Sequence, residues 1–134
     1  MSDATEIKRR GVAAVRSKNT KPEMAVRRML HAQGYRYRLH RTDLPGSPDL
    51  VFPSRKKVIF VNGCFWHGHS CKNGSRRPPS NTSYWLPKIA RNVERDAKNI
   101  SSLEVLGWQS LTVWECELKR SPEELRSRIT RFLG

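Results

Sequence analysis

Hydrophobic residues along this chain recur with two different spacings, and the changes of spacing mark out its elements. Thr20-Lys21-Pro22-Glu23 offers an N-cap, a proline for the first turn and a glutamate at the third helical position. Met24, Val26, Met29 and Leu30 follow it, and Gly34 closes the run, which predicts a helix over 21–33. Tyr35-Arg36-Tyr37-Arg38-Leu39-His40 then alternates with period two. Leu44-Pro45-Gly46-Ser47-Pro48 is turn chemistry, and Asp49–Phe52 and Lys57–Val61 read as short apolar strands. Residues 62–83 are too rich in Gly, Pro, Ser and Asn for regular structure. Leu86, Ile89, Ala90, Val93, Ala97, Ile100 and Leu103 restore helical spacing and predict a long, core-facing helix that begins near Trp85 and runs to Leu106. Trp108–Trp114 is a fourth strand. Ser121-Pro122-Glu123-Glu124 repeats the capping signature, and Leu125, Ile129 and Phe132 supply a closing helix. The order α-β-β-β-α-β-α is that of an α/β protein, and its final β-α-β crossover implies a mixed central sheet flanked by helices.

At 134 residues, with no internal repeat and no dividing linker, the chain closes one hydrophobic core without needing disulfides. No apolar run approaches the roughly 20 residues of a membrane span, and the periodicities exclude a collagen and a coiled coil. Charge changes the picture more. The net charge is +14, and residues 1–91 carry 19 Lys and Arg against 5 acids, whereas 92–134 carry 7 of each. A polyanion would relieve that self-repulsion, and with no basic amphipathic helix apolar enough to lie on lipid, the expected partner is nucleic acid. Residues 1–20 are basic and weakly patterned, a DNA-binding arm ahead of a domain over 21–134. The acidic, small-residue start does not read as a secretory signal, so a cytoplasmic, nucleoid-associated protein is expected.

Three cysteines in such a compartment suggest thiols or metal ligands rather than disulfides. Cys64, His69 and Cys71 lie within eight residues, and Cys116 falls just past the next strand, where parallel neighbours bring strand ends together. They form either a four-coordinate structural zinc site or a set of reduced core cysteines beside a surface histidine. His67 is out of phase with these ligands and suits proton acceptance near neutral pH, or is a surface or ligand histidine. Asp49 opens an apolar strand after Pro48, as a hard-cation ligand or an ordinary strand-edge aspartate. On the long helix Asp96 falls within about 20° of Ile89 and about 40° of Ile100, on the apolar side, with Asn92 one turn earlier. Glu23 is explained by its cap. Phe65, Trp66 and Trp85 stand where they can stack on bases or pack over the cysteine loop.

With these residues assembled, the chain resembles the very short patch repair (Vsr) endonucleases, from about Lys18 to Lys119. The likeness is carried by Asn19-Thr20-Lys21-Pro22-Glu23, Leu44-Pro45-Gly46-Ser47-Pro48-Asp49, Gly63-Cys64-Phe65-Trp66-His67, Asn92-Val93-Glu94-Arg95-Asp96 and Val113-Trp114-Glu115-Cys116. The resemblance implies a restriction-endonuclease-like core and an enzyme that nicks duplex DNA 5′ of the T in a T:G mismatch left by deaminated 5-methylcytosine. It implies Mg2+ held by Asp49 and the carbonyl of Val61, His67 activating water, and Glu23, Asn92 and Asp96 ordering metal-bound waters. It further implies structural Zn2+ on Cys64, His69, Cys71 and Cys116, and an aromatic wedge of Phe65, Trp66 and Trp85. The N-terminal arm, including Val12 and Lys18, would grip the opposite groove. A mispaired step is cheaper to unstack, so insertion itself selects damaged sites.

Two positions depart from the family pattern. Asn62 stands where a second histidine is common, and it can hydrogen-bond a phosphate but cannot carry a proton at neutral pH. Gly11-Val12 replaces an Asn-Met pair in the arm, which bears on mismatch preference. A single copy of each element implies a monomer, with mismatch-repair proteins as further partners. The competing reading is a zinc-stabilised, catalytically degenerate DNA-binding module. A zinc nucleobase deaminase lacks its His-x-Glu and Pro-Cys-x-x-Cys elements here.

Overall fold

A computed structural model describes residues 20–71 and 82–134. The arm before Thr20, with Val12 and Lys18, and the segment 72–81 lie outside the described residues.

Helix α1 (Lys21–Ala32) starts as its sequence dictates: Thr20 Oγ1 accepts from the Glu23 amide at 3.3 Å, and Pro22 occupies the first turn. It ends at Gln33, ahead of Gly34 at φ 89°. Strands β1 (Arg38–Leu39), β2 (Leu50–Phe52) and β3 (Lys57–Asn62) run antiparallel in succession, with Leu39 opposite Leu50 and Leu50 opposite Ile59. Helix α2 (Thr82–Val105) then crosses to β4 (Gln109–Trp114), which pairs parallel to β3 with Ile59 opposite Leu111 and Asn62 opposite Trp114. The chain closes with α3 (Glu115–Arg120) and α4 (Pro122–Leu133). The sheet order is β1-β2-β3-β4, the mixed sheet expected.

Strand alternation sends side chains to two cores. Leu50, Phe52 and Ile59 join Val26 and Leu30 of α1, Val113 of β4, and Leu125, Ile129 and Leu133 of α4 on one face. Val51 and Val58 join Leu44, Leu103 and Trp108 on the other. Both faces are thus covered, which is why the central strands read as continuous apolar runs rather than alternating ones. Leu30 has no exposed surface; truncating it to Ala should cost about 2–5 kcal/mol, read as a lowered urea midpoint at unchanged slope.

Three expectations are corrected. The alternation over 35–40 yields only a two-residue strand, because Tyr35 and Tyr37 turn edge-on to Phe52, at 6.3 and 6.1 Å, instead of continuing the ladder. The long helix spans Thr82–Val105, and its inward stripe is Trp85, Ile89, Asn92, Asp96, Ile100 and Leu103; Leu86, Ala90, Val93, Ala97 and Leu106 are exposed. Its middle third lies over a polar loop, so polar positions face inward there. Finally, α3 begins directly after β4. Glu117 Oε1 accepts from the Trp114 amide at 2.9 Å, and acidic residues in the first turn with basic ones in the last suit the helix dipole. Among the described residues no helix is long and apolar enough to cross a membrane.

Candidate active site and metal centre

Because β3 and β4 are parallel neighbours in register, the chain leaves both at the same end of the sheet. Cys64 follows β3 by two residues and Cys116 follows β4 by two, so the strands deliver both thiols together. The loop between Gly63 and Cys71 returns His69 and Cys71 to them. It is tightened by Gly68 N–H donating to the Phe65 carbonyl at 3.2 Å and His69 N–H to the Cys64 carbonyl at 3.0 Å. Gly68 adopts φ 62° against α2, where a Cβ would lie 2.9 Å from Val93 Cγ2, so only glycine fits this turn. One donor atom from each of Cys64, His69, Cys71 and Cys116 lies within 4.8 Å of the others, and His69 Nδ1 is 3.6 Å from Cys116 Sγ. Thiolate and imidazole at ordinary bond lengths around one tetrahedral ion would be separated by about 3.5–3.8 Å, so the set fits four-coordinate metal. The His69 ring stacks on Trp114 at 4.1 Å, which fixes its plane. All three thiols are free. Burial pushes the Cys64 thiol up to about 12 and also raises that of Cys116, so without a cation these groups stay protonated.

A second cluster lies across β2 and β3. Asp49, one residue before β2, uses Oδ2 to accept the Val61 amide at 2.7 Å. Its carboxyl is raised to about 6, first by burial and then by the nearby charge of Glu23, against the Val61 hydrogen bond and the charges of His40 and His67. Glu23 is only 1% exposed. Its amide serves the α1 cap, while its carboxylate Oε2 accepts from Arg27 Nη2 at 2.6 Å and lies 2.6 Å from His40 Nε2. Glu23, His40 and Asp49 each offer a ligand atom within 4.8 Å of the others, so this set also fits a cation. His40 is the residue that sequence reasoning missed. Its signal lay in the β1–β2 return, which sets it opposite Asp49, where its amide donates to the Asp49 carbonyl at 3.2 Å.

The third group joins the loop to α2. His67 Nδ1 is 2.6 Å from Asp96 Oδ2, and Asn92 Nδ2 donates to the Trp66 carbonyl at 2.9 Å. The Asp96 carboxylate, about one-third exposed, is therefore engaged with the histidine, and Asn92 with the loop backbone. Asn62 is buried at the end of β3. Phe65 packs edge-on to Trp66 at 5.1 Å and tilted on Trp85 at 5.5 Å. Trp85 is buried against Phe65, whereas Phe65 and Trp66 are partly exposed.

A family model described as "DNA mismatch endonuclease Vsr" matches residues 3–73. The DNA mismatch endonuclease Vsr of Escherichia coli is 39% identical over 128 residues, 92% of this chain and 81% of its own length. The chain belongs to the Vsr family. A type II nicking enzyme of Xanthomonas oryzae is 59% identical over 104 residues, 78% of this chain and 76% of the relative. One of Neisseria meningitidis is 48% identical over 119 residues, 89% and 84% respectively. This Vsr-family chain is accordingly a DNA endonuclease, and its clusters are the places to seek the chemistry.

Proposed function

We propose that this chain is a divalent-metal-dependent endonuclease that nicks duplex DNA 5′ of the T in a T:G mismatch, on a restriction-endonuclease-like core. The observation that carries the reading is the convergence of Asp49 with Glu23 and His40, and of His67 with Asp96 at 2.6 Å. Asp49, with the Val61 carbonyl, would hold Mg2+, whose chemistry when bound is to neutralise charge at the scissile phosphate. With Nδ1–H donating to Asp96, His67 presents Nε2 to take a proton from the attacking water, and Asp96 stabilises the imidazolium that results. Glu23 orients groups beside Asp49, and Asn92 fixes the loop that carries His67. Asn62 hydrogen-bonds phosphate or water, leaving proton transfer to His67.

Cys64, His69, Cys71 and Cys116 would hold structural Zn2+, releasing protons as they bind. Phe65 and Trp66 are the wedge, with Trp85 as its buried backing, and a T:G step yields to it more cheaply than a matched one. The arm, with Val12 and Lys18, holds the DNA from the other side. The protein acts as a monomer in the cytoplasm.

The test is nicking of end-labelled duplexes with a T:G mismatch or a matched pair in a CC(A/T)GG-like context, with Mg2+ or EDTA. Selective, Mg2+-dependent cutting 5′ of the T, absent in Asp49→Ala, is expected; tight mismatch binding without a cut would favour the degenerate binding module that Asn62 suggests. Asp96→Asn should lower single-turnover nicking about 10²–10⁴-fold with little loss of DNA affinity. An unchanged rate would remove Asp96 from the machinery.

A further inference from the structure

We propose that His40 is itself a ligand of the catalytic cation, completing with Glu23 and Asp49 a mixed nitrogen-oxygen set that favours Mn2+ over Mg2+. This rests on the reading above that Asp49 holds the cation, and adds to it two ligands, His40 and a Glu23 that binds the ion directly, and a metal preference.

His40 sits at the meeting point of the two carboxylates. Its amide pairs with Asp49, its ring nitrogen reaches Glu23 at 2.6 Å, and the three side chains offer donor atoms within 4.8 Å of one another. A structural role for the imidazole is poorly motivated, because the buried Glu23 carboxylate already has a charge partner one helical turn away in Arg27, at 2.6 Å. The backbone points the same way. His40 is held at φ 47°, in the left-handed region, where glycine would be the unstrained choice. Strain of this kind at a cluster of ligand-bearing side chains is where a functional constraint is expected. The histidine side chain is also largely enclosed, at 14% exposure, so its nitrogen is directed into the cluster rather than into solvent. His40 would ligate as the neutral tautomer that carries its one proton on Nδ1 and a lone pair on Nε2, the proton between Nε2 and Glu23 being exchanged to solvent. Imidazole nitrogen suits first-row transition ions, whereas Mg2+ prefers an all-oxygen shell.

The experiment is electron spin-echo spectroscopy of Mn2+ bound to the zinc-loaded protein, with Mn2+ and Mg2+ affinities from competition titration. Modulation from a directly bound imidazole nitrogen is expected in the wild type and in His67→Gln and absent in His40→Gln, whose amide can still bond Glu23. Mn2+ should bind at least about tenfold more tightly than Mg2+ in the wild type, and His40→Gln should lower Mn2+ affinity about tenfold. Histidine labelled with nitrogen-15 must alter the modulation in the unmutated protein, so nitrogen ligation is readable independently of how His40→Gln folds. Asp49-dependent Mn2+ binding without nitrogen modulation, or modulation lost only in His67→Gln, overturns His40 as a ligand and leaves the Asp49 reading intact. Mn2+ binding that Asp49→Asn does not weaken overturns both.

Discussion

Asp49→Asn is expected to give a protein that no longer nicks DNA and is harder to unfold. The carboxyl rises from an ordinary 3.8 to about 6 in the folded chain, chiefly because it is buried. A raised carboxylate reverses the usual sign. Between about pH 4 and 6 the folded protein keeps a proton that the unfolded chain has lost, so stability falls as pH rises through that window. Above it, the ionised group costs the fold about 3 kcal/mol. Asparagine has nothing to ionise and can still accept the Val61 amide. In zinc-loaded, Mg2+-free protein the variant should therefore gain about 3 kcal/mol over the wild type at pH 7, roughly half of that at pH 5, and nothing below about pH 4. Urea midpoints at pH 5 and pH 7 measure it. A gain that does not change between them would show that burial of the charge is not its cause. Added Mg2+ should stabilise the wild type and leave the variant unmoved, as a ligand that binds only the native site must. On the proposed reading, the buried carboxyl would cost the apo fold stability that a bound cation would offset, a common bargain between stability and activity.

The frame that carries this site was legible where local rules and burial agree. Leu50–Phe52 and Lys57–Asn62 are buried on both faces, so apolar runs announced them, and the parallel pairing that joins Cys64 to Cys116 followed from a strand-helix-strand crossover. What escaped was decided by contacts distant in sequence. The spacing of Asp96 from Ile89 and Ile100 placed it and Asn92 inward, as they are, but it did not report that Leu86 and Val93 lie off that stripe at 42% and 46% exposure, because what covers this stretch of α2 is the loop carrying His67. Glu23 was explained by the α1 cap, which accounts for its amide; its carboxylate is engaged by His40, which a two-residue strand carries in from 17 positions away. Nothing in a periodicity reports a left-handed histidine. The short helix α3 was readable in principle from Glu117 three residues after Trp114, but the next capping signature at Ser121 drew the boundary instead.

Loss of the cysteine-histidine centre should have the largest effect of all. With zinc on Cys64, His69, Cys71 and Cys116, one ion ties the ends of β3 and β4 to the loop that packs on α2. Apparent binding energies at structural zinc sites run to about 10–16 kcal/mol, whereas a whole domain is stable by about 5–15 kcal/mol. Stripping the ion should therefore abolish the cooperative unfolding transition or lower its midpoint by well over 10 °C, at about 3–5 °C per kcal/mol for a chain this size. Cys116→Ser should do nearly as much while α1, α4 and the larger core stay unaltered in sequence. Nicking must fail with it, since His67 lies between two of the ligands and meets Asp96 only while the loop is folded. Elemental analysis of the purified protein, followed by chelation under calorimetry, decides the matter. One zinc per chain, lost together with the transition, is the expected result. Were the cysteines merely reduced core residues, no metal would copurify and chelation would leave the transition where it was. Cys116→Ser would then cost only about 1–3 kcal/mol, the desolvation of one hydroxyl.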